Sequence, residues 1–205
     1  MKITAIKPAV RNQNRVNVFV DNKYDFSLDV AQLVDFKLKV GTELAEKELE
    51  KYRHASTFGK VYQRTLEWVL MRPRSVKETH DYLKRLKETI TALDMDNIIN
   101  ILAGKGYLDD AKFAEYYVEN RFAKKGISKK RLSMELVKKG INKSIVETVL
   151  AGDKRNDEIE IQKIIAKKRA RYDDKKLMNY LARQGFSYDL IRNALGREEN
   201  ENSWD

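Results

Sequence analysis

The chain has 205 residues, of which 42% are hydrophobic and 35% charged, more charge than a compact single-core protein of this size needs. It contains no cysteine, which excludes a disulfide framework, a thiolate metal site and a cysteine nucleophile. A formal net charge of +10 points to a polyanion or an acidic protein surface as partner.

The first thirty residues read as strands. Ile3 to Ile6 alternates like a strand rather than like a signal peptide. Val16, Val18 and Val20 share one face, although Phe19 breaks the alternation, and Tyr24, Phe26 and Leu28 resume the period of two after an Asp21-Asn22 turn. This predicts a small antiparallel sheet of two or three strands. Two short helices, over 30–37 and 43–54, are expected to follow and to cover it, because so small a sheet does not stand alone.

From Ala55 onward the pattern is helical, and it repeats. A shift of 45 positions brings Leu132 onto Leu177, Leu136 onto Leu181, Gly140-Ile141 onto Gly185-Phe186, and Ile145, Val146 and Leu150 onto Leu190, Ile191 and Leu195. The glycine ends a helix in the left-handed conformation, and the large apolar residue after it packs back on the last turn. A fainter copy begins at Arg74: shifted by 53, Ser75 meets Ser128, Lys77 meets Lys130 and Leu83 meets Leu136. Each copy is preceded by a longer amphipathic helix, marked by Phe58, Val61, Tyr62, Thr65, Leu66 and Val69, then by Phe113, Ala114, Tyr117, Val118 and Phe122, and more weakly by Ile161, Ile164 and Ile165.

The expected fold is mainly α: three tandem three-helix repeats in an elongated array, preceded by the small N-terminal sheet and its two short helices. The expected boundaries are 1–54 for the N-terminal part, 55–104, 105–152 and 153–196 for the repeats, and 197–205 for a flexible tail. In the first repeat Lys87 stands where the others have glycine, and the loop from Lys87 to Asp96 is six residues longer.

Residues for catalysis do not converge. His54 and His80 are the only histidines, and neither has a partner at metal-ligand spacing. Gly104-Lys105-Gly106 lacks the remaining glycine and the Lys-Ser/Thr pair of a phosphate loop. Asp94, Asp96, Asp109, Asp110, Asp173 and Asp174 all stand just before apolar-periodic helices, where capping of free amides accounts for them, with contact to a partner as the alternative. Binding rather than catalysis is expected, without metal or cofactor.

The positive charge is concentrated. Arg121, Lys124, Lys125, Lys129, Lys130, Arg131, Lys138, Lys139 and Lys143 are accompanied by one acid, Glu135, and a second basic cluster runs from Lys163 to Arg183. The 45-residue shift superimposes Lys130 on Lys175, Arg131 on Lys176 and Lys138 on Arg183, so stacked repeats would carry a basic stripe suited to a polymeric anion or an acidic filament. The alternative is a solvated helix face without a partner. Arg72 and Arg74 flank Pro73 at a helix break and are further candidate contacts, with pairing to a neighbouring helix as the structural reading. Tyr107 and Tyr188 lie in turns and are candidate exposed contacts, whereas Tyr62, Tyr117 and Tyr180 fall on apolar faces.

Several ordered motifs carry a family resemblance: Arg72-Pro73-Arg74-Ser75; Gly106-Tyr107-Leu108-Asp109-Asp110 with Phe113-Ala114; Lys139-Gly140-Ile141; and Arg183-Gln184-Gly185-Phe186-Ser187-Tyr188-Asp189-Leu190-Ile191. Together they resemble the bacterial RecX regulatory family over about Phe58 to Leu195. The loop insertion after Leu83 departs from the pattern. The resemblance implies a regulator of RecA that binds RecA and its filaments on single-stranded DNA. Such a regulator suppresses ATPase, strand-exchange and coprotease activity, in DNA repair, homologous recombination and the SOS response. It also implies weak contact with single- and double-stranded DNA and a monomeric state, while the lack of cysteine makes a reducing cytoplasm the expected location. The residues expected to engage the partner are Arg121, Lys124, Lys125, Lys129, Lys130 and Arg131 first, then Arg72 and Arg74, with Lys138, Lys175, Lys176 and Arg183 completing the stripe. A general DNA-binding module that uses the same basic face without RecA contact is the competing expectation.

Overall fold

A computed structural model describes residues 1–10, 12–86, 90–124 and 126–196, with the side chains of 122–124 outside the description. The expected tail, Lys125, and Lys87 to Thr89 of the expected long loop lie outside the described residues. The chain divides into two units: Met1–Arg72 with Thr79–Tyr107, and Pro73–Glu78 with the residues from Leu108 onward.

The first unit begins with a three-stranded antiparallel sheet in the order β1 (Ile3–Ala9), β2 (Asn12–Val20), β3 (Lys23–Asp29). The β2–β3 turn uses Asp21 and Asn22 at φ +48° and +66°, the pair of left-handed residues that a two-residue hairpin with matching twist demands. Register places Val18 opposite Phe26 and Val16 opposite Leu28, then slips between Val18 and Phe19. The extra residue, Asp25, is on β3, so Tyr24 leaves the Phe26–Leu28 face expected for it and stands exposed opposite Phe19, their ring centres 6.1 Å apart. Helix α1 (Val30–Asp35) follows directly, capped by Asp29, whose carboxylate accepts from the Gln32 amide at 2.7 Å. Ile3, Val18, Val20, Phe26, Leu28, Leu38, Leu44, Leu49 and Tyr52 form the core beneath the sheet.

The second short helix expected over 43–54 is instead the start of α2, a continuous 25-residue helix, Glu46–Leu70. Nothing between Ala55 and Thr57 breaks a helix: there is no proline, and the Thr57 hydroxyl is absorbed by donating to the Arg53 carbonyl at 3.1 Å. The N-terminal half of α2 covers the sheet, where Ser56 Oγ accepts from the buried Ser27 amide at 3.1 Å. Its C-terminal half packs with α4 (Ala92–Gly104), burying Val61, Val69, Ile98, Ile99 and Leu102. Thr91 and Asp94 cap α4 reciprocally, and His54 Nε2 lies 3.0 Å from Asp94 Oδ2. The chain passes between units within α3 (Val76–Leu83).

The second unit contains α5 (Asp110–Lys124), α6 (Lys129–Lys138), α7 (Lys143–Gly152), α8 (Asp157–Lys168), α9 (Asp174–Arg183) and α10 (Tyr188–Ala194). They form two three-helix clusters. Phe113, Ala114, Val118, Leu136, Ile141 and Val146 are the core of α5–α7. Ile161, Ile164, Ile165, Leu177, Leu181, Phe186, Ile191 and Leu195 are the core of α8–α10. The repeated apolar positions therefore occupy equivalent places. Gly140 and Gly185 end α6 and α9 at φ +85° and +89°, where a side chain would be strained. Ile141 and Phe186 then fold back, their amides donating to Leu136 and Leu181 carbonyls at 3.1 and 3.4 Å.

Candidate partner-binding surface

Successive second helices of the repeats are bonded end to end. The Ser128 hydroxyl at the start of α6 donates to the Gln184 carbonyl at the end of α9 at 3.2 Å, and the Ser128 amide donates to the same oxygen at 3.1 Å. One repeat earlier the Ser75 hydroxyl, at the start of α3, donates to the Lys139 carbonyl at the end of α6 at 2.9 Å. Both serines are fully buried. A second bond accompanies each. Asp110, the first residue of α5, accepts from the Val76 amide at 2.9 Å, and Asp157, the first residue of α8, accepts from the Lys129 amide at 3.1 Å. One carboxylate thus serves two helix N-termini, both of which favour negative charge.

This corrects one part of the capping expectation. Asp109 caps its own helix through the Ala111 and Lys112 amides, and Asp173 through the Lys176 amide. Asp94 caps α4, whereas Asp96 lies within that helix rather than before it. Asp110 joins its helix to α3. The repeat shift of 53 had already superimposed Ser75 on Ser128, and two aligned polar residues followed by apolar helices were the available signal for a buried joint.

The basic residues divide into two groups. Arg121, Lys129 and Arg131 are committed within the protein. Arg121 grips Glu135 with both Nε and Nη2, at 2.8 and 2.9 Å, and Arg131 Nε meets the same carboxylate at 3.2 Å while its Nη1 donates to the Arg183 carbonyl. Lys129 Nζ donates to the carbonyls of Asp153 and Leu150 at 2.8 and 3.4 Å, closing the end of α7. The one acid of the basic segment is the hub: Glu135 also accepts from the Tyr117 hydroxyl at 2.8 Å. The bidentate Arg121 bond, with Tyr117 and Arg131, holds the Glu135 carboxyl down at about 2 against the desolvation of its site. Burial, and the bond to Glu135, push the Tyr117 phenol up to about 12. Arg131 and Glu135 stand four residues apart on α6, a spacing legible in the sequence, but Tyr117 and Arg121 reach the same carboxylate from α5, which sequence proximity could not reveal.

Lys130, Lys138, Lys175, Lys176 and Arg183 are exposed. Lys176 lies 3.4 Å from Asp173. Lys130 and Lys138 share a face of α6, and Lys175 and Arg183 share the equivalent face of α9. Because the end of α9 meets the start of α6, these cations follow one another along bonded helices. Arg72 and Arg74 are half-buried on either side of Pro73. Tyr107 is exposed after Gly106, and Tyr188 is exposed at the start of α10 with the Arg192 guanidinium 5.8 Å from its ring centre. The side chain of Lys124, like all of Lys125, lies outside the described residues.

Among the described residues, no group of His, Asp and Glu is placed to hold a metal ion, and no helix is long and apolar enough to cross a membrane. An open hollow of about 380 Å³ beside α5 is lined by residues such as Val118, Glu119, Lys154, Arg155 and Ile159, with neither histidine among them.

Residues 1–45 match the family model described as the regulatory protein RecX N-terminal domain, and residues 109–150, which span α5, α6 and most of α7, match the RecX second three-helix domain. The chain is similar to regulatory protein RecX of Bacillus licheniformis, with 32% identity covering 98% of this chain and 78% of that protein. It is 33% identical to the Bacillus subtilis protein of the same name, covering 99% and 79%. A crystal structure of regulatory protein RecX superposes with a TM-score of 0.73 over 96% of this chain and 99% of that one, at 24% identity. A crystal structure of RecX from Lactobacillus salivarius gives 0.56 over 69% and 96%, at 25% identity.

Proposed function

The chain belongs to the RecX regulatory protein family, and from that premise we propose that it binds RecA and RecA filaments on single-stranded DNA and restrains their ATPase, strand-exchange and coprotease activities. The observation that carries this reading is the repetition of exposed cations, Lys130 and Lys138 on α6 and Lys175 and Arg183 on α9, on helices joined end to end. Several weak contacts of this kind add through effective concentration along a repeating acidic partner, where one isolated contact would be screened. Arg121, Lys129 and Arg131 act one step removed, by fixing the helices that present the exposed cations. The protein acts as a monomer and contacts DNA weakly.

Titration into a RecA ATPase assay on single-stranded DNA tests the reading, with DNA binding measured in parallel without RecA. Inhibition should be complete well below the concentration that saturates the DNA. Inhibition that appears only once the DNA is coated would replace it with a general DNA-binding module, whose affinity falls steeply with salt.

A further inference from the structure

Between its two exposed lysines α6 carries apolar side chains that the corresponding helix of the next repeat lacks. Lys130, Met134, Val137 and Lys138 recur at i, i+4, i+7 and i+8 and so share one face. Met134 is 65% exposed and Val137 43%, while Leu132 and Leu136 on the other side are fully buried. The equivalent face of α9 reads Lys175, Asn179, Ala182 and Arg183, all exposed. The two helices share the cations but not the apolar pair, and a helix of the same length folds without that pair.

The face is poorly matched to nucleic acid alone. Phosphates are met by cations and unpaired bases by aromatic rings, and α6 has no aromatic residue. An adaptable methionine beside a valine, bracketed by cations, complements a protein segment whose apolar side chain stands between carboxylates. Lys130 and Lys138 are separated by about 12 Å along the helix, the span of about four residues of an extended segment.

We propose that the exposed face of α6 docks an acidic segment of a partner protein, which sets an apolar side chain on Met134 and Val137 and carboxylates on Lys130 and Lys138. The proposal rests on reading the basic faces as the partner surface, and it assigns the α6 portion of that surface to protein rather than to DNA.

The test uses the full chain and three fluorescent probes: a peptide of glutamates, a peptide of equal charge with leucines between the glutamates, and oligo(dT). Fluorescence anisotropy should give about tenfold tighter binding of the leucine-containing peptide than of the glutamate peptide. Met134→Ser with Val137→Ser should bring the two peptides to parity and leave the glutamate peptide and oligo(dT) unchanged, with helical content by circular dichroism preserved because both side chains are exposed. Ala182→Ser on α9 should leave the preference intact. Equal binding of both peptides by the unsubstituted chain, or a preference that survives the double substitution, overturns the proposal. So does an equal loss of oligo(dT) binding. A chain that keeps the leucine preference yet fails to inhibit RecA sinks the functional reading and leaves the α6 assignment standing.

Discussion

The hydroxyl of Ser128 and the carbonyl of Gln184 are bonded at 3.2 Å across 56 residues of sequence, at the point where α9 ends and α6 begins. The same hydroxyl accepts from the Arg131 amide at 3.1 Å, so one buried oxygen caps its own helix and ties down the end of α9. Ser128→Ala should therefore lower stability by about 1–2 kcal/mol, more than an exposed cap would. Ser187→Ala, at the exposed start of α10, provides the comparison. Urea denaturation of the two variants checks the order; equal losses would mean that the Gln184 bond contributes nothing.

Gly185 sits against the same joint. A Cβ there would lie 2.6 Å from Ser128 Oγ and 2.8 Å from Arg131 Cβ, whereas one at Gly41 would meet nothing within 4 Å. Both glycines have φ near +90°, so both Gly→Ala changes carry backbone strain of about 1–2 kcal/mol. Only Gly185→Ala adds a clash. It should unfold at lower urea than Gly41→Ala, and the difference should shrink when combined with Ser128→Ala, which removes one clashing atom. A double-mutant cycle reads that coupling.

The glycine and the apolar residue after it were legible because a left-handed helix end has few chemical solutions, and so the 45-residue repeat announces itself in Gly140-Ile141 and Gly185-Phe186. Helix caps were legible for the same local reason. The continuous α2 was not: the change from sheet-covering to α4-packing at Ala55 looks like a boundary in hydrophobic pattern, although the backbone has no cause to break. Nor was the fate of the basic cluster. Arg121, Lys129, Lys130 and Arg131 are nearly equivalent as letters, and their separation into committed and exposed groups depends on where Glu135, Asp153 and Leu150 arrive in space.

That separation distinguishes neighbouring lysines. Lys130→Glu with Lys138→Glu should weaken RecA inhibition by about tenfold, with the loss larger at low salt, and leave the unfolding midpoint almost unchanged. Lys129→Ala should do the reverse: its Nζ bonds to the Asp153 and Leu150 carbonyls would be lost, lowering stability by about 1 kcal/mol with inhibition by the folded protein intact. Thermal melts run beside the ATPase titration separate the two. Equal effects of both substitutions on inhibition would erase the division.

Glu135 sets the response to acid. Its carboxyl titrates at about 2 in the folded protein against an ordinary 4.5, because Arg121, Tyr117 and Arg131 bond the charged form. A group held below its unfolded value stabilises the fold above that unfolded value, and the contribution disappears as pH falls through the folded one. The stabilisation is therefore full above 4.5 and is lost progressively from there down to about 2. The interval corresponds to about 3 kcal/mol at most, reduced to about 2 by solvent screening at a side chain that is 20% exposed. Glu135→Gln should lower stability by about 2 kcal/mol at neutral pH, since two guanidinium groups lose their carboxylate. In the same variant, the decline in stability between pH 4.5 and 2 should be shallower than in the unsubstituted chain, as measured by urea midpoints across that range. Parallel declines in both proteins would place the acid sensitivity in other carboxylates and deny Glu135 its role as the hub that converts a cluster of like charges into a fixed α5–α6 pair.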